Sequence, residues 1–249
     1  MLNLRCLINR KEKFLIVISA LLVFSGVASG KVLFKDDFEG DAVGAAPKNF
    51  EKIANPTNAA DFNAEVADDP KGESGKVAHT FGYAVYVPKA ADRDAWADWL
   101  WEWDWMWSEA GYPGTAFRIT GNDYYHISPR NDNLNVGFWH YGGGWNQKGA
   151  LVQYDFGLNT WNRFQVIAKG NEFTFKVKRR DDSTPFADIE SLIQVTDANL
   201  SKGPVSVCGT NTDAWMDNFI VAESEDDLIT AVEPNGELSI TWGTIKKIY

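Results

Sequence analysis

The amino-acid sequence predicts an all-β fold, a two-sheet antiparallel β-sandwich of the jelly-roll type. Many short runs of alternating polarity follow one another at regular spacing, turn residues separate them, and hardly any stretch carries helical periodicity. The most pronounced run, residues 98–107, reads D-W-L-W-E-W-D-W-M-W. Side chains alternate between the faces of a strand, so five indoles fall on one face and Leu100, Glu102, Asp104 and Met106 on the other. A helix, at about 100° per residue, would smear the five around its cylinder.

The chain opens with a segment outside that pattern. Arg5, Arg10, Lys11 and Lys13 form a basic leader, residues 14–27 are apolar, and Ala28-Ser29-Gly30 supplies the small residues that signal peptidase needs. The apolar run is shorter than the roughly 20 residues that cross a bilayer, so residues 1–30 are expected to be a signal peptide and no transmembrane segment to remain after cleavage. The expected location is secreted, periplasmic or at the cell surface. Cleavage removes four basic residues and one acid, which takes the net charge from −10 to −13. So acidic a chain argues against a nucleic-acid partner. One cysteine, Cys208, is left, too few for an intramolecular disulfide or a cysteine-metal cluster.

Residues 31–223 suit one large β-domain. Strands are expected at 32–38 and 83–87, then over the tryptophan run, then at 116–120, 124–128, 134–141 and 150–156. Tyr112-Pro113-Gly114, Gly121-Asn122-Asp123, residues 130–133 and Gly142-Gly143-Gly144 separate them. Residues 161–169 and 172–180 are joined by Gly170-Asn171, a two-residue hairpin signal. The last strands are 205–209 and 215–222, and only 90–97 and 188–192 can hold a helical turn. Residues 224–249 begin with an acidic stretch and are expected to be a carboxy-terminal tail.

Four segments carry a family resemblance: K-D-D-F-E-G (35–40), G-T-A-F-R-I-T-G-N-D-Y-Y (114–125), W-N-R-F-Q-V-I-A-K-G-N-E-F (161–173) and W-M-D-N-F-I-V-A (215–222). In this order they resemble the concanavalin A-like, laminin-G-like jelly rolls, and within them most resemble the 3-keto-disaccharide hydrolase-type domains. The resemblance implies that residues 34–38 and 216–221 lie near each other, and that a curved sheet offers a concave face for sugar. The fold hosts lectins, glycosidases, adhesion modules and spacers, so it does not by itself define an activity.

The tryptophan face is expected to be core. Five same-face residues span roughly 27 Å, beyond the roughly 17–20 Å of a common strand, and each buried indole N–H wants a partner. The middle three are therefore expected inside and Trp99 or Trp107 at a rim. If neighbouring strands keep phase, Phe117, Ile119, Tyr125, Ile127, Leu134, Val136 and Phe138 face the core. Glu102, Asp104, Arg118, His126, Trp139 and Tyr141 then share one concave surface. Carboxylates and arginine suit sugar hydroxyls, and aromatic rings stack on pyranose faces. The alternative is Arg118 pairing with Glu102 or Asp104 on a solvated sheet, and a single β-bulge would break the phase.

The expected partner is a carbohydrate, bound without chemistry, with Arg118, Trp139, Tyr141 and Trp145 as binding residues. Trp145 belongs to a glycine-rich loop, His140-Tyr141-Gly142-Gly143-Gly144-Trp145-Asn146, and can close over a ligand like a flap; the alternative is a plain long hairpin turn. A first alternative is a 3-keto-glycoside hydrolase using Glu102, Asp104 and His126 as acid-base groups. A laminarinase-type glycosidase is not expected, because Met106 and Trp107 stand where its second glutamate belongs. A second alternative is a structural or adhesive module without a small ligand. No cofactor is expected beyond a structural calcium, to which the resemblance assigns Asp217 with Asp36 or Asp37; otherwise Asp217 caps a turn.

Overall fold

The computed structural model describes residues 31–53, 63–82, 85–130, 132, 134–208 and 212–230. The expected signal peptide, the tail beyond residue 230, Tyr83 at one predicted strand end and Gly209 at another lie outside them. Fifteen strands are described: β1 (Val32–Asp36), β2 (Phe50–Lys52), β3 (Asn63–Asp68), β4 (Lys76–Phe81), β5 (Val85–Pro88), β6 (Trp99–Trp107), β7 (Thr115–Thr120) and β8 (Asp123–Pro129). They continue as β9 (Asn135–Gly142), β10 (Trp145–Gln153), β11 (Asn162–Lys169), β12 (Glu172–Arg179), β13 (Ile193–Thr196), β14 (Val207–Cys208) and β15 (Ala214–Ala222).

An eight-stranded sheet runs β13-β12-β11-β6-β15-β4-β3, with β1 also paired to β15. Four strands, β10-β9-β8-β7, form a second sheet and β14-β5-β2 a third. The core takes residues from all three: the Trp99 to Trp107 row, Phe164 and Phe175 from the first, Phe117, Tyr125 and Phe138 from the second, Tyr86 and Val207 from the third. The eight-stranded sheet thus makes one layer of a β-sandwich and the two smaller sheets face it. The first and last strands pair, with Asp36 opposite Phe219.

All five indoles are core, and neither end of the row reaches a rim: Trp99 is 1 % exposed and Trp107 0 %. The ring N–H groups of Trp99, Trp101, Trp103 and Trp105 make no hydrogen bond. Leaving such a donor unpaired costs about 1–3 kcal/mol. Burying the indole removes about 150–250 Å² from water, worth about 4–6 kcal/mol at about 25 cal/mol per Å². Burial outweighs the lost hydrogen bond, and ring contacts add to it: Trp101 stacks on Trp103 at 3.8 Å and Trp103 on Phe164 at 5.3 Å.

The 161–180 hairpin forms as expected, Lys169 pairing with Glu172 across Gly170-Asn171. Strands β2, β3, β4 and β13 have no counterpart in the sequence-based assignment, and Leu134 is exposed rather than core. Residues 225–230 form a short helix, α1 (Glu225–Thr230), where a tail was expected. Its acidic first turn suits the positive end of the helix dipole, and the Ser224 N–H and hydroxyl both donate to Asp227 at 2.8 Å. Among the described residues no helix is long and apolar enough to cross a membrane.

Candidate functional site

The outer face of β6 carries Glu102 and Asp104, as alternation requires, yet both are buried. Their neighbours come from β11 and β15, the strands that flank β6. Arg163 stands opposite Asp104 in register and Gln165 opposite Glu102. Gln165 Nε2 donates to Glu102 at 2.8 Å, and Arg163 Nε lies 3.6–3.7 Å from both carboxylates. Arg180 reaches Asp104 at 3.2 Å and Asp217 at 3.4 Å. A β-bulge in β15, with Asn218 at φ 49°, turns Asp217 and Asn218 into the same cluster; Asn218 Nδ2 donates to Asp104 at 2.7 Å. Burial pushes the Glu102 carboxyl above its ordinary range, against the pull of Arg163 and Gln165. Burial likewise raises Asp217 to about 6.

Arg118 does not join them. The register of β7 against β8 shifts between Phe117 and Thr120, and Arg118 sits at the shift with φ 49°, in the left-handed region. The extra residue reverses the phase beyond it. Arg118 turns inward, donates to the carbonyls of Leu200 at 2.9 Å and Ala97 at 2.6 Å, and covers the core ring of Phe173. Ile119, expected in the core, packs instead in an outer cluster with Tyr124, Val85 and Val87.

His126, Trp139, Tyr141 and Trp145 do share a surface, the outer face of the four-stranded sheet. Trp145 pairs with Tyr141, and Tyr141 with Tyr124, across three adjacent strands; two residues along, Trp139 pairs with His126. Tyr124 stacks on Tyr141 at 5.2 Å, Trp145 meets Tyr141 edge-on at 5.0 Å, and His126 lies 5.0 Å from Trp145. Trp145 is the first residue of β10 and not part of a loop, because the hairpin turns on Gly143-Gly144 alone. It is 50 % exposed. Trp139, by contrast, is 7 % exposed: its ring leans over Gly137, where a Cβ would collide with it, and Arg130 lies over the ring at 5.3 Å. It forms floor rather than platform.

The expected single concave surface is therefore divided. Glu102 and Asp104 lie on the outer side of one layer and His126 on the outer side of the other, with the tryptophan core between. His126 is 5 % exposed, and burial lowers its pKa to about 3, so its ring is neutral near pH 7. An acid-base trio of Glu102, Asp104 and His126 does not assemble. Nor do Asp37 and Asp217 fit a calcium site. The Asp37 carboxylate accepts the Glu39 N–H at 3.2 Å, while Asp217 accepts from Ser74 at 2.6 Å and faces the cationic Arg180. A calcium ion needs about six to eight oxygens. Among the described residues no group of three or more histidine, cysteine, aspartate or glutamate side chains is placed to hold a metal.

Tyr112, Tyr124 and Arg130 belong to the aromatic face but not to the sequence-predicted set. Tyr124 was recoverable, being in phase with His126; Arg130, past the end of β8, carries no periodic signal.

The strand order and the facing layers define the fold class, an antiparallel β-sandwich of the jelly-roll type. Compared with known protein families and curated proteins, the sequence matches none. Among solved structures, the chain is similar to a carbohydrate-binding module, CBM66, from Bacillus subtilis (16 % identity, TM-score 0.51, covering 70 % of this chain and 94 % of that one). It is also similar to domain 4 of AbnA, an extracellular GH43 arabinanase from Geobacillus stearothermophilus, in complex with arabinotriose (10 %, 0.54, 79 % and 94 %). A protein of unknown function with a galectin-like fold from Bacillus subtilis is similar at 10 % identity (TM-score 0.50, 78 % and 97 %). At these identities the likeness is one of fold.

Proposed function

We propose that this chain is an exported carbohydrate-binding jelly-roll domain that holds its ligand on the outer face of the four-stranded sheet and does no chemistry on it. One observation carries the reading: Trp145 stands half-exposed against Tyr141 and Tyr124, while the other tryptophans among the described residues are buried or half-buried. Keeping one large ring in water has no benefit to folding, whereas a flat ring braced from behind suits the apolar face of a pyranose. A carbohydrate-binding module and an arabinanase domain seen with arabinotriose among proteins of similar fold support it. The hydrolase alternative draws no support from the separation of Glu102 and Asp104 from His126.

The test is glycan-array binding by wild type and Trp145→Ala, alongside turnover of a 3-keto-glucoside. Binding by wild type that drops at least tenfold in Trp145→Ala, with the melting temperature kept, is expected. A folded wild type that binds no glycan, or binding indifferent to Trp145, overturns the reading. Turnover of the 3-keto sugar would favour the enzyme.

A further inference from the structure

We infer that the saccharide bound on this face carries a carboxylate, a uronic-acid unit, and that Arg130 receives it. The inference rests on the carbohydrate-binding reading and adds the chemical class of the ligand. The guanidinium of Arg130 lies over two rings, 4.9 Å from the centre of Tyr112 and 5.3 Å from that of Trp139. A guanidinium held over rings keeps its in-plane N–H groups available to donate. That edge has no hydrogen-bond or ion-pair partner among the described residues. Every other arginine among the described residues has at least one partner: Arg93 the Pro88 carbonyl and Glu51, Arg118 two carbonyls, Arg163 and Arg180 carboxylates, Arg179 the Phe156 and Asp155 carbonyls. Arg130 is thus fixed in place with its donors unspent, and a planar fork of two N–H groups matches a carboxylate bidentately.

Its surroundings agree. Asp132, the nearest acid in sequence, is already used: it accepts the Leu134 N–H and the Asn135 amide, both at 2.9 Å. His126 between Arg130 and Trp145 is neutral. From Trp145 to His126, Trp139 and Arg130 the successive spacings are 5.0, 6.3 and 5.3 Å, so Trp145 and Arg130 lie within reach of one oligosaccharide that stacks on the ring and places an anionic unit at the guanidinium. The acidic chain as a whole repels a polyanion at long range, but with a Debye length of about 8 Å at physiological salt the contact pair prevails. Trp139 and Gly137 act here through Arg130, as positioning residues.

The test compares pentagalacturonate, its methyl ester and cellopentaose by calorimetry at 0.15 M salt, with wild type, Arg130→Met and Arg130→Lys. Wild type should bind the acid about tenfold or more tighter than its ester, as a charge-assisted pair implies. The preference should vanish in Arg130→Met and be partly kept in Arg130→Lys, which retains the charge without the fork. Equal affinity of wild type for acid and ester, or a preference that persists in Arg130→Met, overturns the inference while leaving neutral-sugar binding intact. Failure of folded wild type to bind all three overturns this inference; if the array is also blank, the carbohydrate reading falls with it.

Discussion

Replacing His126 by glutamine should change how stability depends on pH, and the size of the change follows from where the ring sits. His126 is wedged between Gly114, Trp139 and Trp145, and its Nδ1 has no hydrogen-bond partner. Burial lowers its pKa from 6.5 to about 3. The unfolded chain therefore takes up the proton first, and the folded state loses ground as pH falls from 6.5 toward 3. Each pH unit inside that window is worth about 1.4 kcal/mol, so the loss at pH 5 is about 2 kcal/mol. Asp217 works the other way: raised from 3.8 to about 6 by burial, it makes the folded state gain as pH falls from 6 toward 3.8. The two slopes oppose each other in the wild type, so the quantity to measure is the difference between wild type and His126→Gln. The packing and hydrogen-bond cost of glutamine drops out, because it is the same at every pH. Urea unfolding at pH 7.5, 6 and 5 should show the wild-type advantage shrinking by about 2 kcal/mol between the first and last. A difference that stays constant, or an imidazole that titrates above pH 5 in the folded protein by NMR, would refute the reasoning and return His126 to the list of groups able to move a proton near pH 7.

Further substitutions probe the other parts of the molecule. Asp217→Asn should be more favourable at pH 7.5 than at pH 5 relative to wild type, by about 1.4 kcal/mol, measured by the same urea series. Trp103→Ala empties the middle of the tryptophan row and should cost about 3–5 kcal/mol, read as a large drop in melting temperature. Asp104→Asn leaves Arg163 and Arg180 without their shared partner and should cost about 3–5 kcal/mol; a variant as stable as wild type would mean that the ion pairs contribute nothing. Gly137→Ala pushes the Trp139 ring away, should cost about 1–3 kcal/mol, and should shift tryptophan fluorescence.

The alternation of residues 98–107 made the central strand, its direction and both of its faces legible in the sequence, because a period of two is a local property. What that strand pairs with is not local. A face shared by Glu102, Asp104, His126 and Trp139 requires that β6 be followed in its own sheet by β7, β8 and β9. In fact β6 pairs with β11 and β15, some sixty and more than one hundred residues on, and the chain crosses to the other layer between Trp107 and Thr115. Glu102 and Asp104 were correctly turned away from the core, but His126 and Trp139 were turned away from it in the opposite direction. At Arg118 the periodicity itself failed, since a bulge adds one residue without leaving a mark that single-sequence alternation can register. Strands β3 and β4, N-A-E-V-A-D and K-V-A-H-T-F, escaped notice because small and charged residues dilute their alternation.

The two outer faces differ in what they have left to give. On the eight-stranded sheet the buried acids Glu102, Asp104 and Asp217 face the cations Arg163, Arg180 and Lys178, and Lys178 is held further by the Thr184 carbonyl and the Phe186 ring. A ligand entering there must first separate paired charges, at about 3–5 kcal/mol for each buried partner stranded. On the four-stranded sheet the aromatic rings pack on one another from behind, Trp145 is half in water, and Arg130 keeps an unspent donor edge. Nothing has to be broken for a sugar to land on that surface. Affinity is the surplus of new contacts over the groups displaced to make them, and by that criterion a ligand displaces less on the aromatic face than on the charged one.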